Sequence, residues 1–459
     1  MQQFSPLTTI SPLDGRYNRE TIKLRKIFSE YNLIKNRIKI ELEWFKKLSF
    51  LSSITELPTF SNSEYIFIDN IYKNFDLHEA KKIKCLEKKT NHDIKAVEYY
   101  LKSKFVKNKF LKPYIEFIHF GCTSDDINNI AYALMLKKSR NEIIIPYWEK
   151  ISLKIKKISI RYKSIPMLSR THGQPATPST IGKEFLNFFF RLQRQIEKLK
   201  EIKIFAKLNG TVGNYNSFYI AYPQINWYEI SKEFIKKFGI CFNPITTQIE
   251  PHDYISEYFF CISLFNTILI DFNKDIWSYI SLDYFKQKLK NKEIGSSVMP
   301  HKINPIDFEN SEGNLGISNA LMNYISLKLP VSRMQRDLTD STTMRNIGVA
   351  LGYSVVSYES CLKGIKKLYL NKKVVLKDLN NKWILLCEAI QTVMRKYKIF
   401  NSYEKLKYLS HSSNFNKKII NSFILNLDIP MEEKQKLQNL TPMEYIGISD
   451  IIVHKFFNL

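Results

Sequence analysis

Apolar residues recur at helical spacing along most of the chain. Ile94, Val97 and Leu101 share one face of residues 90–104, a stripe that predicts an amphipathic helix. Ser124-Asp125-Asp126 suits the start of a helix running through Ala131, Leu134 and Leu136 to about Ile145, where Pro146 kinks or restarts it. Thr177-Pro178 fits an N-cap with proline at the first helical position, which predicts a helix continuing through 185–199. Residues 253–290 are apolar on most faces and read as a long buried helix. Asn304-Pro305 opens another, reaching about Leu329 before Pro330 stops it, and 341–370 reads as one more.

The expected fold class is therefore all-α. Only 14 of 459 residues are Gly and 16 are Pro, which favours long helices over turn-rich β architecture. Three helical regions are expected: a smaller one over 1–111, a central long-helix bundle over 112–369, and a C-terminal one over 370–459, where polar breaks fall at Asn401-Ser402 and 410–416. Several central helices are apolar nearly all round. A monomer would struggle to cover them, so the bundle is expected to build a homo-oligomer.

Composition narrows the picture. The longest uncharged, mostly apolar stretch, 258–270, is shorter than the roughly 18 residues a spanning helix needs, so no membrane association is expected. The first residues, Met-Gln-Gln-Phe-Ser-Pro, show no basic or apolar export pattern. Six widely spaced cysteines without a CxxC pair suit reduced thiols and a cytoplasmic location. Lys+Arg is 69 against 44 Asp+Glu, a net charge of +25. The lysines are spread over the whole chain, as in 35–47, 154–163, 198–203 and 286–292. That spread reads as solvated helix faces in a chain also rich in Ile, Asn, Phe and Tyr, and no nucleic-acid partner is expected. The opposing reading, a helical nucleic-acid-binding protein, requires tight binding with steep salt dependence.

Five of the eight histidines fall in polar clusters at helix starts or loops: His92, His119, His172, His252 and His301. None forms the i, i+4 pair of a helical zinc site, and their neighbours are Thr, Asn, Gln and Asp, so hydrogen-bonding roles are expected and a metal is not. Neither GxGxxG nor GxxxxGK[ST] occurs, which leaves dinucleotide and ATP chemistry without support.

The strongest chemical signal lies in 291–305, with Gly295-Ser296-Ser297-Val298-Met299-Pro300-His301-Lys302-Ile303-Asn304-Pro305 at its heart. Gly and two Ser lower local stiffness, Lys302 brings a cation, Asn304 an amide, and Pro305 sets a helix start whose free N–H groups attract anions. A serine hydroxyl becomes a useful base only where N–H donors and a cation stabilise its alkoxide. By itself the segment reads equally well as a Ser-rich helix cap.

This segment resembles the signature GSSxMPxKxNP of the fumarase/aspartase superfamily, and every fixed position is present. Residues 11–17 (SPLDGRY), 90–98 (TNHDIKAVE), 119–128, 169–180 (SRTHGQPATPST), 247–254 (TQIEPHDY) and 332–345 (SRMQRDLTDSTTMR) are similar, in order, to the bacterial branch of the adenylosuccinate lyase family. The resemblance spans essentially the whole length. It implies β-elimination of fumarate from adenylosuccinate and from the succinyl-carboxamide ribotide (SAICAR), with no metal or organic cofactor. Such a reaction needs a base for carbon, an acid for the departing nitrogen, and cations for the developing charge.

By resemblance, Ser296 is the base that takes the Cβ proton and His172 the acid for the purine nitrogen, although His172 alone would read equally as a satisfied interhelical histidine. Ser297 binds substrate through the loop. Arg16 and Tyr17 look like the phosphate contact, and Arg336, Ser341 and Arg345 a second oxyanion set. A plainer reading pairs those arginines with Asp337 and Asp340. Lys302 and Asn304 would hold the succinyl carboxylates. Asn91, His92, Asp93, Thr123, Ser124 and Gln248 carry over as substrate-binding positions, with Asp93 equally suited to an N-cap, and Asn310 is a further candidate. These residues belong to loops at both ends of helices, and a 30-residue helix is about 45 Å long. The resemblance implies a homotetramer whose active sites are shared between subunits. One departure is Met334, where relatives tend to carry Trp; Met packs less rigidly. The fumarase, aspartase and argininosuccinate lyase branches remain the alternative, but their substrates lack a phosphate for the arginine sets.

Overall fold

The computed structural model describes residues 5–289, 298–410 and 416–459. Five helices open the chain: α1 (Asn18–Phe28), α2 (Glu30–Ser49), α3 (Asn62–Lys73), α4 (Leu77–Thr90) and α5 (Asp93–Phe105). Next come α6 (Ser124–Ser139) and α7 (Ile145–Arg161), the hairpin strands β1 (Pro166–Thr171) and β2 (Gln174–Thr180), and α8 (Ile181–Glu201). Two-residue strands β3 (Phe205–Ala206) and β4 (Cys241–Phe242) flank α9 (Asn216–Ala221) and α10 (Trp227–Lys237). The longest helix, α11 (Asp253–Ser281), leads to β5 (Phe285–Gln287). Then follow α12 (Ile306–Lys328), α13 (Thr339–Met344), α14 (Ile347–Lys367) and β6 (Leu368–Leu370). The C-terminal part holds α15 (Lys372–Asn380), α16 (Cys387–Lys396), α17 (Ser402–Ser410), α18 (Lys417–Leu425), α19 (Met431–Asn439) and α20 (Ser449–Phe457). The fold is mostly helical, as the apolar spacing predicts, with three minor two-stranded sheets among the described residues.

Helix starts follow capping chemistry. Thr123 and Asp126 form a reciprocal capping box at α6, and Ser61 with Glu64 does the same at α3. At α5 the cap is His92, whose Nδ1 accepts from the Lys95 N–H at 3.2 Å, rather than Asp93. Pro146 brings no N–H to the helical ladder, and Arg140–Ile144 between α6 and α7 slips into a π-turn in which the Ile145 N–H bonds Arg140. The proline therefore distorts the helix and does not end it.

Three sequence expectations change. Residues 174–180 form β2 instead of a helix start, and α8 begins only at Ile181. Strand β2 pairs antiparallel with β1, with a register shift between Met167 and Ser169 that accommodates Pro178 in an irregular position. Residues 341–370 form parts of two helices separated near Arg345, followed by a strand. Helix α11 stops at Ser281; as a whole it is long and apolar enough to cross a membrane, but 61% of its most apolar window is buried, as in a core helix.

The chain divides into two compact units, and the division falls inside several helices. The first comprises residues 1–148, 195–267 and 313–359. Its aromatic core joins Trp44, Phe218, Trp227 and Phe234, and Trp148 stacks on Phe265 at 3.8 Å. A buried polar seam runs among its long helices: Asn266 donates to Asn319 and Ser354 at 3.0 Å each and accepts from Tyr358 at 2.6 Å. Because each group finds a partner, the seam fixes helix register without stranding a polar atom. Gly121, at φ +70°, lies so near the Phe218 ring that a Cβ would overlap it at 2.3 Å. The second unit comprises 149–194, 268–312 and 360–459. Its C-terminal helices close over Leu386, Ile390, Met394, Leu406, Ile420 and Ile424, while Leu168 of β1 packs with Leu379 and Leu385.

Candidate active site

The first unit assembles most of the expected oxyanion-binding residues. The Asp93 carboxylate, at the first turn of α5, takes Arg37 Nη2 at 2.6 Å and Arg345 Nη2 at 3.4 Å. Burial works to raise the Asp93 pKa, but the two guanidinium groups and the Ile94 N–H hold it below the usual value. Arg345 also pairs with Glu30 at 2.9 Å. Arg336 Nη1 donates to the Gln248 side chain at 3.0 Å, and the Gln248 amide donates to the Thr211 carbonyl at 2.9 Å. Asp337 pairs with Arg333 at 3.1 Å, and Asp340 accepts from the Ser341 N–H at 2.6 Å. Arg336 thus bonds Gln248 while Asp337 pairs with Arg333, and Arg345 is partly engaged by the carboxylates of Glu30 and Asp93.

Beneath these residues lies a small polar cavity of about 20 Å³, room for roughly one water. Arg37, Asp125, His252, Arg336, Asp340 and Ser341 are among its walls. His252 is 2% exposed with φ +68°, and neither ring nitrogen makes a hydrogen bond. Its Nδ1 lies 3.4 Å from Glu250 Oε2, an ion-pair distance. Burial disfavours the imidazolium, but Glu250, Asp125 and Asp340 outweigh it and raise the pKa. Asp125 itself is pushed up, burial exceeding the pull of Lys207, His252 and Arg336.

A fully buried ion pair underpins the Thr123–Ser124 turn. Lys207 Nζ lies 2.9 Å from Asp126 Oδ1, and both side chains are 0% exposed. Asp126 also accepts from the N–H groups of Thr123, Asn209 and Gly210. Nearby, His119 Nδ1 meets Glu41 at 2.6 Å. Burial lowers the His119 pKa and the buried Glu41 carboxylate more than restores it, so the net direction is up. The remaining first-unit candidates are peripheral. Asn91 is the left-handed C-cap of α4, His92 and Arg16 are exposed, and the Arg16 guanidinium sits 6.0 Å from the Tyr17 ring centroid.

The second unit presents its candidates differently. His172 and Gly173 form the two-residue loop between β1 and β2, with φ +51° and +75°. Positive φ at both positions is the hairpin geometry that matches strand twist, and Gly173 has open space around it. His172 and Lys302 are exposed and Asn304 is half-buried, and none of the three side chains makes a hydrogen bond or ion pair among the described residues. Asn310 bonds Ser360 at 2.6 Å. Ser296 and Ser297 lie outside the described residues.

Several participants escaped the sequence reading. Arg37 sits in the 35–47 basic run that reads as a solvated face, yet it is 2% exposed and grips Asp93 and Asn128; spacing gives no hint of that. Asp125 and Asp126 read as helix caps, and His252 and His119 sit inside quoted motifs without an assigned role. Met334 stands at φ +50° and is 92% exposed, so it packs little in this chain.

Comparisons with known proteins bear on the fold and the family. The backbone superposes on a fumarate lyase from Mesorhizobium with a TM-score of 0.76 over 95% of this chain and 97% of that one, at 16% identity. It also superposes on the 3-carboxy-cis,cis-muconate lactonizing enzyme of Pseudomonas putida at 0.74, with 16% identity over 95% and 98%. These likenesses establish the fold. The lyase family matches residues 15–317, which defines the class. The adenylosuccinate lyase C-terminal family matches 332–446. The adenylosuccinate lyase of Buchnera aphidicola from Acyrthosiphon pisum is 56% identical over 99% of both chains. That of Escherichia coli K12 is 52% identical over 97% of this chain and 98% of its own. The chain belongs to the adenylosuccinate lyase family.

Proposed function

We propose that this chain cleaves adenylosuccinate to AMP and fumarate, and the succinyl-carboxamide ribotide to its carboxamide and fumarate, in the cytoplasm and without a cofactor. In each, a base removes the Cβ proton, the Cα–Cβ double bond forms, the C–N bond breaks, and an acid returns a proton to nitrogen. Negative charge accumulates on the succinyl carboxylate in between and needs fixed cations and donors. Ser296 is the base and His172 the acid, an imidazole suiting proton delivery near neutral pH. Lys302, Asn304 and Ser297 hold the succinyl end. Arg16 and Tyr17 take the phosphate, with Arg336, Ser341 and Arg345 as a second anion-binding set. Asn91, His92, Asp93, Thr123, Ser124, Gln248 and Asn310 complete the site. In this reading region 112–369 forms the core of a homotetramer, and residues from different subunits meet at each site.

The observation that carries the reading is the 56% identity to an adenylosuccinate lyase over 99% of both chains. The test is fumarate release from adenylosuccinate, the carboxamide ribotide, malate, aspartate and argininosuccinate, side by side. Release from the two nucleotides is expected; release confined to the non-nucleotide substrates rejects the proposal.

A further inference from the structure

His172 stands on a two-residue turn, so its orientation depends on what holds the strands behind it. Two positions earlier, Arg170 Nη2 donates to Asp378 Oδ2 at 2.8 Å. Asp378 lies on α15, which packs along β1. The same carboxylate oxygen accepts from the Tyr284 hydroxyl. Tyr284 is 2% exposed and immediately precedes β5, the strand from which the chain runs into the 291–305 signature. Burial first, and the Asp378 carboxylate second, raise the phenol pKa, which keeps Tyr284 a donor. On the other edge of the hairpin, Thr177 of β2 donates to Glu388 of α16.

A half-exposed Arg–Asp pair adds little stability by itself: Arg170 is 31% exposed and Asp378 28%. What this pair offers, with a buried phenol fixing the same oxygen, is geometry. Displacing a proton donor by about 1 Å can cost a hundredfold in rate.

We infer that Asp378 is a positioning residue for His172: its carboxylate ties the strand that leads into the His172 turn to the buried Tyr284. This rests on His172 being the acid, and the test separates the two claims. Turnover of adenylosuccinate is measured for the wild type, Asp378→Ala, His172→Ala and the double variant, with Asp378→Glu as the conservative control. Asp378→Ala is expected to lower kcat about ten- to a hundredfold while KM moves less than about threefold. Glu at 378 restores part of the loss. In the His172→Ala background the same change should cost little more, because there is no imidazole left to misplace. An equal loss in both backgrounds, or a loss in KM in place of kcat, overturns the positioning role and leaves the acid assignment standing. Wild-type turnover by His172→Ala removes both claims. If Asp378→Ala does not fold, Tyr284→Phe deletes one hydroxyl from the same carboxylate and is read through the same cycle, with a smaller loss expected.

Discussion

Candidate site residues of the two units are held differently. In the first, Asp93 pairs with Arg37 and Arg345, Arg336 with Gln248, and Asp126 with Lys207, the last pair wholly buried. In the second, His172 and Lys302 are exposed and unengaged among the described residues, on a turn and on a loop. Charges that bind an anion must be fixed before it arrives, because reorganising them would cost much of what they contribute. Proton carriers need the reverse: access to the reacting atoms and a firm base behind them. In the proposed reading, the paired residues of the first unit hold an anion from packed helices, while His172 delivers its proton from a turn.

The largest expected effect lies with the proposed acid and base. Ser296→Ala and His172→Ala should each lower turnover by at least about a hundredfold and leave thermal unfolding close to that of the wild type. Near-normal turnover by either variant removes that residue from its role. If, as proposed, sites are shared between subunits of an oligomer, mixing the two inactive variants into verified hybrid oligomers should restore part of the activity, and hybrids as inactive as their parents would argue for sites within one chain.

On the packed side the response should appear in stability. Lys207→Met leaves the Asp126 carboxylate buried without its cation, a change that costs about 3–5 kcal/mol. Denaturant unfolding measures it; a loss under about 1 kcal/mol, the range of an exposed pair, would mean that the contrast between the units is smaller than the burial suggests.

The mildest effect is pH-dependent. The folded-state pKa of His119 is raised, despite burial, by Glu41. Its contribution to stability is therefore complete below the unfolded value of about 6.5 and disappears as pH climbs through the higher folded value. His119→Gln should lower the melting temperature more at about pH 6 than at about pH 9. An identical decrement at both would show that the neutral imidazole, through packing alone, accounts for the residue.

The sequence by itself determined the helical class, the signature segment and the order of the polar motifs, because apolar spacing and short motifs are local properties of the chain. It placed Ser124-Asp125-Asp126 at a helix start, and the structure begins α6 there with Thr123 as the cap. Only the tertiary structure decided that Thr177-Pro178 lies in a strand, since the pairing of 174–180 with 166–171 overrides the local cap signal. It also decided that Arg37 is buried and the lysines of its basic run are half-buried, that Lys207 neutralises Asp126, and that Asp378 reaches Arg170 across more than two hundred residues of sequence. Burial and long-range pairing depend on which distant segments meet, and that information is carried by no single stretch of the chain.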